Sequence, residues 1–239
     1  MKVRGGRYNL QLAQKAVLNH RFDGIQATYG KDVKLMVGAG KQNSKGYDHV
    51  VYGEASTKMC LVDLMVGYYD FQDHKAGKAE TGYWIPAVDD EDATAGAYVP
   101  ETEVKAATED KKIFAIGASV PVAKNVKVNA LYLDGDMKGA VEDKGFQASI
   151  AYKGAKASVP GSWGLEAFWY DLGDATYVDH THNGLEGDFL KKGGFEGYSL
   201  QATYALAKNI VAKVEWYNLE AQKGKADSET LWAQVVFTF

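Results

Sequence analysis

The sequence predicts an all-β protein: a transmembrane antiparallel up-and-down β-barrel of about twelve strands, built as one domain over residues 1–239. Three observations predict it. Apolar side chains recur at every second position in segment after segment. The alternating apolar face carries no charge in eleven of those segments, while the opposite face carries Lys, Glu and Asp. The connections between segments alternate between long and short along the whole chain. A soluble barrel buries its apolar face and wets its charged one. A wide membrane barrel does the reverse, because lipid surrounds it and water fills it.

The segments follow in order. Residues 2–9 are the poorest in alternation. Ile25, Ala27 and Tyr29 then alternate with Gln26 and Thr28, and Val33, Leu35, Val37 and Ala39 with Lys34, Met36 and Gly38. Val51, Gly53 and Ala55 oppose Tyr52, Glu54 and Ser56. Val62, Leu64, Val66 and Tyr68 oppose Asp63, Met65, Gly67 and Tyr69. Phe114, Ile116, Ala118 and Val120 come next, then Val126, Val128, Ala130 and Tyr132 facing away from Lys127 and Asn129. Phe146, Ala148, Ile150 and Tyr152 oppose Gln147, Ser149 and Lys153, and Leu165, Ala167 and Trp169 oppose Glu166, Phe168 and Tyr170. The last three segments are 198–206, 210–217 with Lys213 and Glu215 on the polar face, and 231–239. A transmembrane β-strand needs only ~9–11 residues with apolar side chains at alternate positions, so the chain's mean hydropathy can look like that of a soluble protein. Aromatics close the ends of the apolar face at Tyr29, Tyr68, Tyr132, Tyr152, Trp169, Tyr204, Trp216 and Phe239, the pattern of an interfacial girdle.

Short connections are expected at 30–32, 57–60, 123–125, 154–161 and 207–209. Long ones are expected at 10–22, 41–49, 72–111, 134–145, 171–197 and 220–229. Short turns on one membrane side and long loops on the other give this parity. Two of the short turns repeat Ala-Lys-Asn, at 123–125 and 207–209, which reads as a recurring hairpin rather than a solenoid repeat.

Composition narrows the function classes. With 46% apolar and 24% charged residues the chain is not a disordered polymer. A net charge of −4 without a basic run argues against nucleic acid as a partner. A single cysteine, Cys60, excludes an intrachain disulfide framework and a multi-cysteine zinc site. Apolar runs are too short for a transmembrane helix. The Gly38-Ala39-Gly40 fragment lies in a strand rather than before a helix, so a nucleotide-binding reading fails its context.

Other constellations have ordinary readings. Asp89, Asp90, Glu91 and Asp92 lack an EF-hand spacing and read as a solvated loop that could instead fold into the lumen. His180 and His182 form the only close histidine pair, with no third ligand nearby, so no metal and no cofactor is expected. Ser199 has no histidine placed within reach, and the protein is expected not to be an enzyme.

The ending Leu231-Trp232-Ala233-Gln234-Val235-Val236-Phe237-Thr238-Phe239 resembles the C-terminal strand of bacterial outer-membrane barrels. By that resemblance Phe237 and Phe239 are the signal read by the assembly machinery. Val3-Arg4-Gly5-Gly6-Arg7-Tyr8, a gap, then Arg21-Phe22-Asp23-Gly24-Ile25-Gln26-Ala27-Thr28-Tyr29 resembles the middle of general diffusion porins, where a Gly-Arg strand leads into a constriction loop. Residues 161–239 are most similar to porins linked to S-layer-homology domains in diderm Firmicutes. The resemblance implies the bacterial outer membrane, a homotrimer, and Arg4, Arg7 and Arg21 at a constriction. A general porin has 16 strands, so about four strands upstream of residue 2 would be needed to complete one, though twelve is itself an even number. Residues 1–5 open without an apolar stretch of a signal peptide, and no S-layer-homology segment is legible.

The expected function is a porin: a water-filled channel in which small hydrophilic solutes and ions diffuse passively, with outer-membrane lipid around it. Strand parity assigns Lys34, Lys127, Lys153 and Lys213, against Glu54, Asp63, Glu166 and Glu215, to the pore lining. Arg4 and Arg7 have opposite parity, so both face inward only if Gly5-Gly6 forms a bulge. Two alternatives stand beside it: a structural barrel with a blocked lumen linking membrane to cell wall, and an outer-membrane hydrolase using His180 or His182.

Overall fold

A computed structural model describes residues 1–42, 46–74, 82–85, 97–100, 110–178 and 193–238. Twelve long strands form one sheet in chain order, each antiparallel to its neighbours. They are β1 (Lys2–Leu12), β2 (Leu18–Tyr29), β3 (Val33–Gln42), β4 (Tyr47–Met59) and β5 (Val62–His74), then β8 (Lys111–Ala123), β9 (Val126–Met137) and β10 (Lys144–Lys153). β11 (Trp163–Leu172), β12 (Phe195–Ala207), β13 (Ile210–Ala221) and β14 (Asp227–Phe237) complete it. A separate hairpin of β6 (Gly82–Ile85) and β7 (Ala97–Pro100) lies within the longest connection, where the sequence predicted only a loop. β1 and β14 are the two edges of the sheet and do not pair with each other.

All twelve expected segments are strands, and each extends past the stretch of clean alternation on the long-loop side. β5 continues to His74 and β9 to Met137, for example. Above the membrane both faces can carry polar residues, so the period-2 signal fades while the ladder continues. The loop expected at 10–22 is the largest correction. β1 and β2 run on through most of it, leaving one left-handed turn at Ala13–Lys15.

The repeated Ala-Lys-Asn turns share a mechanism. Register shifts between Pro121 and Ala123, and between Ala205 and Ala207, precede them. Asn125 and Asn209 then take left-handed φ values of 64° and 65°. Asn tolerates that conformation better than other non-glycine residues, which closes a two-residue hairpin.

The outer face is apolar, with Ile25, Leu35, Val37, Val66, Ile116, Ile150, Leu165 and Leu200 all solvent-facing in the isolated chain. Aromatic pairs knit it across strands: Phe146–Trp169, Tyr152–Trp163 and Tyr198–Trp216 have ring centroids 5.5 Å apart. Such an exposed band is stable only against lipid.

Candidate constriction site

Above the middle of the sheet, the β1–β2 hairpin leaves the wall. β1 and β2 pair over their whole length, from Lys2 with Thr28 to Leu12 with Leu18. β2 pairs with β3 only from Asp23 to Tyr29. The departure point is built of glycine. Gly6 pairs with Gly24, and Gly6 has φ +99°, a conformation costly for residues with a Cβ. A Cβ on Gly24 would collide with the Ala39 carbonyl and the Phe22 ring. The bulge at Gly5-Gly6 that would turn both Arg4 and Arg7 inward is absent: the register is unbroken, and the two arginines keep opposite faces.

The bent hairpin turns into the barrel interior. Leu10, Leu12, Ala13, Ala16, Val17, Leu18 and Phe22 are buried in one cluster with Tyr52, Tyr69, Ile113, Leu131, Tyr170, Phe195 and Tyr217 of the wall. Glu54 of β4 holds the tip: its Oε1 accepts the Ala13 N–H at 2.8 Å and the Tyr69 hydroxyl at 2.7 Å. A second segment, 173–178, also folds inward from the end of β11. Ala175, Thr176 and Tyr177 are buried, and the Val178 N–H donates to the Val17 carbonyl at 3.0 Å. Lys111 clamps this segment by donating to the carbonyls of Asp174 and Tyr177 at 2.6 and 2.9 Å. Burial pushes the Tyr177 hydroxyl well above its usual titration range. The long-loop half of the interior is therefore an apolar core.

The other face of the hairpin is polar. Asn9 and Gln11 donate to Asn19 at 2.9 and 3.2 Å, and Arg21 lies exposed on the same side. Arg7 grips Asp23 with two bonds of 2.6 and 2.8 Å. Gln14, Lys15 and Asn19 face a polar cavity of about 490 Å³. Its opposite wall is polar too, including Lys127, Asn129, Glu166, Gln201 and Lys213. A hydrogen-bonded chain crosses four strands along it. Ser119 Oγ donates to Asn129 at 2.6 Å, Asn129 to Ser149 at 2.8 Å, and Ser149 to Glu166 at 2.9 Å.

The expected lining residues divide as follows. Lys34, Glu54, Asp63, Lys127, Glu166, Lys213 and Glu215 lie on the inner face, sharing parity with buried Tyr52, Tyr69, Leu131, Tyr170 and Tyr217. Lys127, Glu166 and Lys213 reach the cavity. Glu54 is spent on the hairpin tip, and Glu215, fully buried, pairs with Lys213 at 2.7 Å. Arg4 is on the concave side, donating to Gln26 at 2.6 and 3.2 Å with its guanidinium 4.0 Å over the Tyr8 ring. Arg7 and Arg21 are on the hairpin's opposite, polar face.

Lys153 is a correction. Its left-handed backbone (φ 59°) ends β10 and swings the ammonium onto the outer aromatics, 4.2 Å over Trp163 and 5.2 Å over Tyr152. It belongs to the outer girdle, not the pore. Sequence parity missed it because a positive φ cancels the alternation. Gln14, Lys15 and Asn19 were missed because they fell in the expected loop; their signal was a polar residue pattern flanking an apolar Leu10-Leu12-Val17-Leu18 set. Phe237 is exposed on the outer face, while Phe239, the acidic run at 89–92 and His180 and His182 lie outside the described residues. Ser199 is buried and bonded to the Tyr170 hydroxyl at 2.9 Å. Among the described residues no three His, Cys, Asp or Glu side chains gather as metal ligands.

No protein-family model matches the chain, and no curated protein does. Solved structures do. The loop L8 deletion mutant of OmpT, an outer membrane protein of Vibrio cholerae, is similar with a TM-score of 0.50 and 12% identity, covering 92% of this chain and 64% of that one. In-vitro folded OmpT gives a TM-score of 0.43 and 11% identity over 92% and 61%. Outer-membrane expressed OmpT gives 0.43 and 9% over 88% and 62%. This chain thus spans less than two thirds of the length of each. The likeness to the deletion mutant shows the fold, an outer-membrane β-barrel, and with the lipid-facing band it puts the chain in the bacterial outer membrane. The expectation that the chain is not an enzyme is withdrawn. The match is to an architecture, and an architecture hosts catalysts and non-catalysts alike.

Proposed function

We propose that this chain forms the wall and the constriction of an outer-membrane diffusion channel, a porin passing small hydrophilic solutes. One observation carries the reading. The inward hairpin is two-faced, apolar where it packs on the wall and polar where it meets a polar cavity. A segment that only filled the lumen would gain nothing from a second, hydrated face. Because the apolar core occupies the long-loop half of the interior, the passage runs along the polar face, past Asn19, Arg21 and Lys15. The resemblance of residues 3–8 and 21–29 to general diffusion porins supports the reading, since those residues build the hairpin; the likeness of residues 161–239 to S-layer-linked porins belongs with it.

The blocked-barrel alternative draws on the Val178–Val17 bond, which ties two inward segments together. Single-channel conductance in a planar bilayer separates the two. Stable discrete steps from the folded chain support a channel. A folded, heat-resistant barrel that conducts nothing refutes it in favour of the structural barrel.

A further inference from the structure

We propose that the polar cavity under the hairpin is a binding site for a neutral saccharide. Its volume, about 490 Å³, falls within the ~300–1,000 Å³ of small-molecule sites. Two of its three lining lysines are answered by carboxylates just outside the lining: Lys213 pairs with Glu215 at 2.7 Å and Lys127 lies 3.8 Å from Asp63, while Lys15 shares the lining with Glu166. A site for an anion would leave its cations unanswered.

What remains after that pairing is amides, hydroxyls and one ring. Gln147, Gln201 and Gln234 line the cavity beside Ser119 and Ser149. Gln147 is 5% exposed, and its Oε1 is buried with no hydrogen-bond partner among the described residues. A buried acceptor without a donor is costly, and a turn of the Gln147 amide toward the cavity it lines would let a solute hydroxyl satisfy it. Phe168 supplies an apolar face, held parallel to Tyr170 with centroids 5.8 Å apart. Planar amides for the hydroxyls and a ring for the C–H face of a pyranose are the two halves of sugar recognition. The inference deepens the channel reading by naming a solute class, but binding is measurable without conduction.

The test is saturation-transfer NMR on the full chain, folded in a zwitterionic detergent that carries no sugar head group. Glucose, maltose and sucrose are titrated, with gluconate as the anionic comparator. Transfer from the barrel to the neutral sugars is expected. Gln147→Leu and Phe168→Ala should each weaken it at least tenfold in barrels that keep their heat-modifiable mobility. If one variant fails to fold, Ser119→Ala removes a hydroxyl from the same wall and should weaken binding several-fold. No transfer to any neutral sugar overturns the proposal, as does tighter binding of gluconate than of glucose, or affinity unchanged in every folded variant. Conductance of the same samples keeps the two readings apart. Sugar binding without conductance sinks the channel and leaves the site; conductance without sugar binding does the opposite.

Discussion

Leu12→Asp should release the hairpin from the wall. Leu10, Leu12, Val17, Leu18 and Phe22 are essentially fully buried in the docked state. At ~1.5–3 kcal/mol each, their burial contributes roughly 10 kcal/mol. Fixing residues 13–17 costs about 1.5 kcal/mol per residue, or roughly 7 in all. The Glu54 bond to Ala13 N–H adds back about 1.5–3 kcal/mol. Docking is therefore favourable by only about 5 kcal/mol. The substitution removes ~2 kcal/mol of leucine burial and asks an apolar cluster to take a carboxylate, several kcal/mol more. The sum exceeds the docking energy, so the hairpin swings out while the lower strands stay paired. Trypsin reads this directly: the folded variant should be cut after Lys15 within minutes, where the parent resists. Single-channel conductance should rise several-fold. Leu12→Ala, losing ~2–5 kcal/mol, should fall between them. A folded Leu12→Asp barrel that resists trypsin and conducts like the parent would refute the docking argument.

Four further outcomes follow from the same geometry. Lys213→Ala removes the ammonium that pairs with buried Glu215 and should lower stability by about 3 kcal/mol, read as a lower urea midpoint; the Tyr217 hydroxyl, which donates to Glu215 at 2.9 Å, keeps the cost from being larger. Lys111→Ala removes both clamps on segment 173–178 and should raise amide hydrogen exchange there at least tenfold while β8 stays protected. Lys153→Ala should change Trp163 fluorescence and leave ion selectivity untouched, whereas Lys127→Ala should shift selectivity toward cations; equal effects would put Lys153 back in the lumen. Hydrogen bonds that the Lys225 ammonium donates to Glu220 and Glu196 raise it above its ordinary pKa. A raised lysine stabilises fully below its unfolded pKa and loses that contribution as pH climbs through the folded one. The 222–226 connection should therefore keep its proteolytic resistance through neutral and mildly alkaline pH and lose it only in strong alkali.

Period-2 alternation determined the twelve strands, their antiparallel order and the face that meets lipid. It could do so because each strand's choice is local: a charge on the lipid face costs energy wherever it falls, so the sequence keeps that face clean from Ile25 to Phe237. The turns were legible for the same reason, since Asn125 and Asn209 report their own backbone conformation. The hairpin was not. Leu10, Leu12, Leu18 and Phe22 carry the same alternation whether they point at lipid or at the inner wall, and only contacts with residues far along the chain, Tyr69, Leu131, Tyr170 and Tyr217, decide between them. Lys153 escaped for a related reason, because one left-handed residue reverses a parity that spacing takes for granted. The site is likewise a product of tertiary structure. Lys15, Gln147 and Lys213 share a cavity because a bend at Gly6 and Gly24 carries the hairpin across the interior, and no local signal encodes where a bent hairpin lands.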